Sequence, residues 1–307
     1  MQIGYNSGAV GGRETRLQDL VDEARTAEAR GFAFYGLANI FSYDAIGVLT
    51  VIGRETERIQ TLTAVVPTPL RHPHAIAQQA VTCQAASGGR FSLGIGLSHQ
   101  IVIENMMGLS YAKPAAQMRE YLEVLAPLLR GEPASFQGDH YRVNASLAVA
   151  EGTPCPVLVA ALGPRMLELT GRLASGTITW MTGVKTLGSF TVPTLRAAAE
   201  KAGNPPPRIV ASLPVALVRD PDAARELAGK MFQMYGTLPS YRAMLDREGA
   251  GTPGDVAIVG DEASLRAQLR SLADAGVTEF SAACYPAEEG AVERTTDFLV
   301  SELGAYA

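Results

Sequence analysis

The stretch TLTAVVPTPLRHPHAIAQQAVTCQAASGGRFSLGIGLSH, Thr61 to His99, decides the fold. Thr61 to Val66 is a short β-branched run closed by Pro67 and Pro69, which reads as a buried strand. His74 to Ala86 carries Ala75, Ile76, Ala80, Val81 and Cys83 as a mostly apolar face, and Ser87-Gly88-Gly89 stops it, so a helix is predicted there. Phe91 to Gly96 is a second buried strand. It opens into Gly94-Ile95-Gly96-Leu97-Ser98-His99, where glycine lets a backbone approach its neighbours closely. Strand, helix and strand make one βαβ unit, and a right-handed crossover sets the two strands parallel.

Outward from this unit the same alternation repeats. Strands are predicted at Gln2–Ser7, Phe32–Ala38, Pro156–Leu162, Gly176–Thr182, Ile209–Val218 and Glu279–Tyr285. Gly8–Gly12 reads as a loop. Leu17–Arg30 is an amphipathic helix with Leu17, Leu20, Val21, Ala24 and Ala27 on one face. Ala45–Gly53, Pro164–Leu173, Ala263–Ala275 and Ala291–Leu303 are further helices, and another runs from the sixth strand to about Ala202. Ala115–Arg130 is a helix with Met118, Tyr121, Leu122, Leu125 and Leu129 at helical spacing. Phe136–Val143 breaks the rhythm with Gly138-Asp139 and reads as a surface hairpin. Asp220–Gly251 has helical pattern and no strand, so it is an insertion. Its Met231, Phe232, Met234, Tyr235 and Leu238 are too apolar for a solvated excursion, so it is expected to pack over the barrel mouth and shape the substrate pocket, or else to form a dimer contact. Eight strands alternating with helices in one domain, residues 1–307, point to an α/β fold, a (β/α)₈ TIM barrel with insertions. A doubly wound sheet is the rival arrangement.

Composition narrows the function. The 307 residues are 47% hydrophobic and 19% charged, with net charge -5. These values suit a globular chain with a large core and do not suggest a nucleic-acid partner. No apolar run approaches the ~20 residues that span a bilayer. Met1-Gln2-Ile3-Gly4-Tyr5 has no basic segment of the kind that opens a signal peptide. Cys83, Cys155 and Cys284 are far apart and odd in number, which reads as reduced thiols and a cytoplasmic protein.

A barrel of this kind places its chemistry at the C-terminal ends of its strands. Those ends carry Tyr5-Asn6, Asn39-Ile40-Phe41, Ala64-Val65-Val66, Gly96-Leu97-Ser98-His99, Ala161-Leu162-Gly163-Pro164, Trp180-Met181-Thr182, Ala216-Leu217-Val218 and Cys284-Tyr285. No metal-ligating cluster, strand-borne lysine or converging carboxylate pair occurs among them. Such a mouth, if catalytic, borrows its chemistry, and a bound organic redox cofactor is the simplest lender. A barrel that binds a ligand without catalysis is the other reading. Gly94-Ile95-Gly96 lacks the third glycine and the acidic residue of a dinucleotide motif; the glycines read as room for a flat ring or as close packing. Ala161-Leu162-Gly163-Pro164-Arg165 ends a strand and opens a helix with Pro164 at its first position, which favours an anion or phosphate. His72 and His74 flank Pro73 and read as loop histidines within reach of a cofactor tail; His140 belongs to the hairpin. Phe41, Tyr43, Met106, Met107, Trp180 and Met181 fall on one predicted face and suggest an apolar substrate pocket, with Tyr235 of the insertion beside it.

The strand closing in Thr63-Ala64-Val65-Val66-Pro67, Arg71-His72-Pro73, Gln78-Gln79, Ser87-Gly88-Gly89-Arg90 and Leu93-Gly94-Ile95-Gly96 resemble the bacterial-luciferase-like superfamily. Within it they are most similar to the oxidoreductases that use the deazaflavin coenzyme F420. Gly31-Phe32-Ala33-Phe34-Tyr35, Phe41-Ser42-Tyr43-Asp44 and Arg119-Glu120-Tyr121-Leu122 share the likeness, which covers nearly the whole chain. It implies a luciferase-like barrel and hydride transfer between F420 and an apolar organic substrate. FMN-dependent monooxygenation is the alternative, and a flavin- or deazaflavin-binding protein without activity is a further one. Asn39, Ala64, Val65, Gly96, Leu97, Ser98, His99 and Ala161 to Arg165 would hold the cofactor; Phe41, Tyr43, Trp180, Met181 and Tyr235 would meet the substrate. The likeness also implies a non-prolyl cis peptide between Ala64 and Val65. Many deazaflavin members carry Asp-His at the end of strand two, where this chain has Asn39-Ile40. The proton must then move elsewhere, and His99, with an ordinary pKa near ~6.5, is the candidate acid–base residue, with Asn39 orienting the ring or the substrate. The expected partners are a small-molecule substrate and a second copy in a homodimer, with neither membrane nor nucleic acid.

Overall fold

The computed structural model describes residues 1–8, 14–150 and 153–306; the predicted loop at Gly8–Gly12 falls mostly outside them. The barrel strands are β1 (Gln2–Ser7), β2 (Phe34–Leu37), β3 (Gln60–Thr63) continued by β4 (Val66–Pro67), β5 (Phe91–Gly96), β8 (Val157–Val159), β9 (Gly176–Trp180), β10 (Arg208–Leu217) and β12 (Glu279–Cys284). Between β5 and β8 lies a two-stranded antiparallel hairpin, β6 (Ala134–Gln137) and β7 (Arg142–Ala145), at the predicted surface excursion. Pairing runs β1-β2-β3-β5-β8-β9-β10-β12 and returns from β12 to β1, all parallel, so the sheet closes into a (β/α)₈ barrel. The doubly wound alternative, whose sheet would be open, is excluded by that closure.

Helices cover the outside: α1 (Leu17–Ala29), α2 (Ala45–Glu55), α3 (Pro73–Ala86), α4 (Pro114–Leu129), α5 (Pro164–Leu173), α6 (Val184–Thr186), α7 (Val192–Lys201), α8 (Pro221–Met231), α9 (Gln233–Thr237), α10 (Pro239–Glu248), α11 (Glu262–Asp274) and α12 (Ala291–Ser301). The apolar stripes do the packing. Leu20, Val21, Ala24 and Ala27 of α1 are buried, as are Met118, Tyr121, Leu122, Leu125 and Leu129 of α4; Leu17, expected on the same face, is 38% exposed at the first turn. Inside the barrel Phe34, Leu62, Leu158, Ile178 and Val210 meet in a separate cluster that fills the axis.

Two features depart from the sequence reading. The strand expected over Thr61–Val66 is interrupted. Residues 63–65 bulge opposite two residues of β5, and the peptide between Ala64 and Val65 is cis, as the family likeness implies. Thr63 repairs the ladder with its side chain: Oγ1 donates to the Gly94 carbonyl at 2.8 Å and accepts from Gly94 N at 2.7 Å. Secondly, a three-residue strand, β11 (Ile258–Gly260), pairs with the far end of β10 beyond the insertion, where no strand was expected. The insertion itself is helical, as α8, α9 and α10.

Candidate active site

A cavity of about 360 Å³ opens at the C-terminal ends of the barrel strands. Its wall on the β3–β8 side is made of small groups: Ala64, Val65, Gly96 and Ala160. Glycine at position 96 is required, because a Cβ there would stand 2.8 Å from Val65 Cγ2 and 3.2 Å from Ala160 Cβ. Gly94 does not reach the cavity; a Cβ on it would meet the Thr63 carbonyl oxygen at 1.9 Å. The paired glycines therefore make room first for the bulge of strand three. The bulge, seated against them, presents the surface on which a ring can lie.

Beyond β5 the chain turns through Leu97, Ser98 and His99, all in the lining. Ser98 takes a left-handed conformation (φ 59°), and its carbonyl accepts from the Tyr111 hydroxyl at 3.1 Å. His99 is half-buried, with its ring edge-to-face against Tyr235 (5.7–6.0 Å centroid range with Tyr241 included) from the insertion. Desolvation holds its pKa below the ordinary 6.5, so the imidazole is neutral at physiological pH. Asn39 lines the cavity, and its Oδ1 accepts from Ala45 N at 2.9 Å at the start of α2, leaving Nδ2 as the group to be offered to a ligand. Ile40 and Phe41 follow it in the lining.

The remaining expected residues divide. Leu162, Gly163, Trp180 and Tyr235 line the cavity. Gly163 precedes α5, whose Pro164 stands at the first helical position as read from the sequence. The N–H groups of Arg165 and Met166 have no carbonyl within the helix to donate to. Ala161 is buried in the core, while Pro164 and Arg165 are exposed at the rim and outside the lining. Met181, with a left-handed backbone (φ 53°) just after the strand, is fully buried in the core. Tyr43 lies in a neighbouring groove between β1, α1 and the end of β2. His72 caps α3, its Nδ1 accepting from His74 N, and its ring packs on Tyr141; neither His72 nor His74 reaches the cavity. His140 gives its backbone N–H to Glu120 at 2.7 Å in the hairpin.

Several lining residues were not singled out for the site in the sequence, although Asn6 stood among the strand ends. Asn6, Thr179 and Ser212 point inward because barrel closure fixes their register, and Met166, Ser240 and Tyr241 arrive on helices. Alternation along β1 and β10 would have picked the inward faces, but not which layer opens to the cavity. The insertion does lie at the mouth: Met234, Tyr235, Ser240 and Tyr241 complete the lining, and Trp180 packs edge-on against Phe232 and Tyr235. Among the described residues, no lysine, arginine, aspartate or glutamate lines the cavity, and His99 is its single imidazole.

Known proteins share this architecture. The 5,10-methylenetetrahydromethanopterin reductase of Methanolobus tindarius is 26% identical over 290 residues, covering 84% of this chain and 88% of the relative. The F420-dependent glucose-6-phosphate dehydrogenase of Nakamurella multipartita is 30% identical over 219 residues, 66% of this chain and 63% of that one. Among solved structures, the coenzyme F420 dependent tetrahydromethanopterin reductase of Methanopyrus kandleri superposes with a TM-score of 0.81 at 21% identity, over 98% of both chains. The model of the luciferase-like monooxygenase family matches residues 1–279, and the chain belongs to that family.

Proposed function

We propose that the protein is an oxidoreductase exchanging hydride between coenzyme F420 and a neutral, largely apolar organic substrate. The observation that carries this reading is the pairing of a wall of small groups, Ala64-Val65 against Gly96 and Ala160, with a lining that has one imidazole and no charged side chain among the described residues. The wall fits a planar ring, and the N-terminus of α5 beside Leu162 and Gly163 fits the anionic tail of such a cofactor. Relatives named as F420-dependent support the deazaflavin over FMN.

When bound, the deazaflavin supplies a ring carbon that gives or takes hydride. The chain's own groups do the rest. Val65 and Ala64 would back the ring. Neutral His99 takes up the proton released when the substrate is oxidised, or returns it in the reverse direction. Asn39 Nδ2 donates to ring or substrate. Trp180, Tyr235 and Tyr241 exclude water and provide apolar surface. A phosphorylated or carboxylated substrate would leave an unpaired charge in this lining, which is costly.

The test is to titrate the purified protein separately with F420 and with FMN while following ring fluorescence. Saturable F420 binding is the expected result. FMN binding without F420 binding would reverse the assignment in favour of monooxygenation, and binding of neither would sink the cofactor reading.

A further inference from the structure

The catalytic reading uses Tyr241 for its ring alone and gives its hydroxyl no task. Tyr241 stands in the first turn of α10 and lines the cavity. Its ring lies edge-on to His99 at 5.7 Å and to Tyr235 at 4.9 Å between centroids. Tyr111, a third tyrosine of the lining, commits its own proton to the Ser98 carbonyl at 3.1 Å. The Tyr241 hydroxyl has no such partner. It is not sealed inside the protein as the Tyr121 hydroxyl is, so the cavity reaches it. Burial holds its pKa far above the ordinary range of a phenol, and Tyr235 and Tyr111 add to the effect. The group therefore keeps its proton at neutral pH and is offered to the cavity as a donor. A tyrosine hydroxyl at this depth ordinarily has a partner.

The place of the hydroxyl says what kind of partner it takes. It must be an acceptor, and it must be neutral, since no charged side chain among the described residues lines the cavity. It must also sit beside His99, against which the Tyr241 ring is packed. The oxygen on the carbon that exchanges hydride meets all three conditions. Resting on the reading of His99 as the proton acceptor, we propose that Tyr241 is a substrate-binding residue whose O–H donates to the oxygen of a neutral carbonyl compound, or of the alcohol from which that compound is formed. In the oxidative direction the C–H bond breaks and its electron pair leaves with the hydride, the alcohol O–H proton passes to His99, and the carbon–oxygen double bond forms. Tyr241 keeps its own proton and bonds to a lone pair of the same oxygen while charge grows there. A compound of the same shape without that oxygen leaves the buried hydroxyl unpaired and is discriminated against.

Acetophenone and α-methylstyrene are a matched pair of probes, the second carrying a CH₂ group where the ketone has its oxygen. Their affinities are measured by calorimetry on wild type, Tyr241→Phe and Tyr235→Phe, each with and without F420. Tyr241→Phe keeps the ring against His99 and loses the donor, so it should lower the ketone-to-alkene affinity ratio ~10-fold. F420 affinity should stay within a few-fold of wild type, and the melting temperature should not change, because no protein bond is lost. Tyr235→Phe should leave the ratio as it is. The infrared carbonyl band of acetophenone bound to wild type should lie lower than in cyclohexane, and Tyr241→Phe should move it back up. An unchanged ratio or an unchanged band in Tyr241→Phe, binding of neither probe, or a wild-type band at the cyclohexane position overturns the assignment. The last of these needs no variant and serves if Tyr241→Phe does not fold. A ratio that falls in Tyr235→Phe and not in Tyr241→Phe also overturns it and makes Tyr235 the donor. Failure of wild type to bind F420 sinks the cofactor reading instead, and the ratio in the cofactor-free protein then still decides the role of Tyr241.

Discussion

His99 is where sequence position and chemistry meet. Two residues past Leu97, it lies between the wall of small groups and the tyrosines of the insertion. Burial costs the charged form, so its pKa is pushed below 6.5. A neutral imidazole accepts a proton, and in the direction of substrate oxidation activity should therefore be full at neutral pH and fall as the medium becomes acid enough to protonate it. The acid limb of kcat/KM is expected below 6.5, on the acid side of an unperturbed histidine; a limb above that value would assign it to another group. His99→Ala should lower turnover ~10²–10⁴-fold, remove that limb and keep F420 affinity within a few-fold. Collapse of F420 binding would make His99 a binding residue, and turnover near wild type would hand the proton to water. Residues like His99, Leu97 and Gly163 were legible in the sequence because a strand end declares itself locally. Asn6 was legible in the same way, at the end of β1, but Ser212 and its contact with Asn6 were not: the two are 206 positions apart, and only closure of the barrel brings them together.

At the scale of elements, the insertion between β10 and β11 was readable as apolar helix packing over the mouth, and the contacts that tie it down were not. Glu248 at the end of α10 shows how it is tied down, accepting from Lys185 N at 3.0 Å and Thr186 N at 2.7 Å at the start of α6. Helices α9 and α10 thus hold Tyr235 and Tyr241 over the mouth. Tyr235→Ala should weaken substrate binding more than cofactor binding, because it faces the cavity from the insertion side. Phe232→Ala acts through Trp180 and the core, since Phe232 is 4% exposed and outside the lining, and should lower the melting temperature as well. Equal losses of F420 and substrate affinity for Tyr235→Ala would place the insertion on the cofactor side. The hairpin of β6 and β7 depends on one carboxylate from α4. Glu120 is 2% exposed and accepts from Asp139 N, His140 N and Tyr141 N at 2.7–3.2 Å. Burial raises its pKa and the three N–H donors lower it, with the donors prevailing. This stabilisation is present above the unfolded carboxyl pKa and lost as the pH falls through the lower folded value. Glu120→Gln should cost about 1–3 kcal/mol by denaturant unfolding at neutral pH, with the deficit shrinking in acid. A cost independent of pH would assign it to packing.

The whole barrel is legible where alternation is strong and illegible where a strand is shorter than the pattern needed to see it. Ile258-Val259-Gly260 gives three residues of strand, too few for any periodicity. What the sequence hid altogether is how the end of the barrel away from the cavity is closed. There Arg208 of β10 donates to both oxygens of Glu279 on β12, at 2.7 and 2.8 Å, and reaches Ser92 of β5 at 2.7 Å. Glu279 is 6% exposed, so its charge is largely withdrawn from water and relies on this guanidinium. The contact joins β10 to its neighbour β12 and to β5, three places away around the ring, and so acts on closure itself and not on one strand pair. Arg208→Met should cost ~3 kcal/mol, near the lower bound for breaking a buried pair, because it strands the carboxylate. Arg208→Met with Glu279→Leu removes both charges, and the double variant should recover most of that loss. F420 affinity should be unchanged in both proteins, since the cavity lies at the opposite ends of the strands. Additive losses in the double variant would mean that the two side chains act through packing, and that the ion pair does not hold the barrel closed.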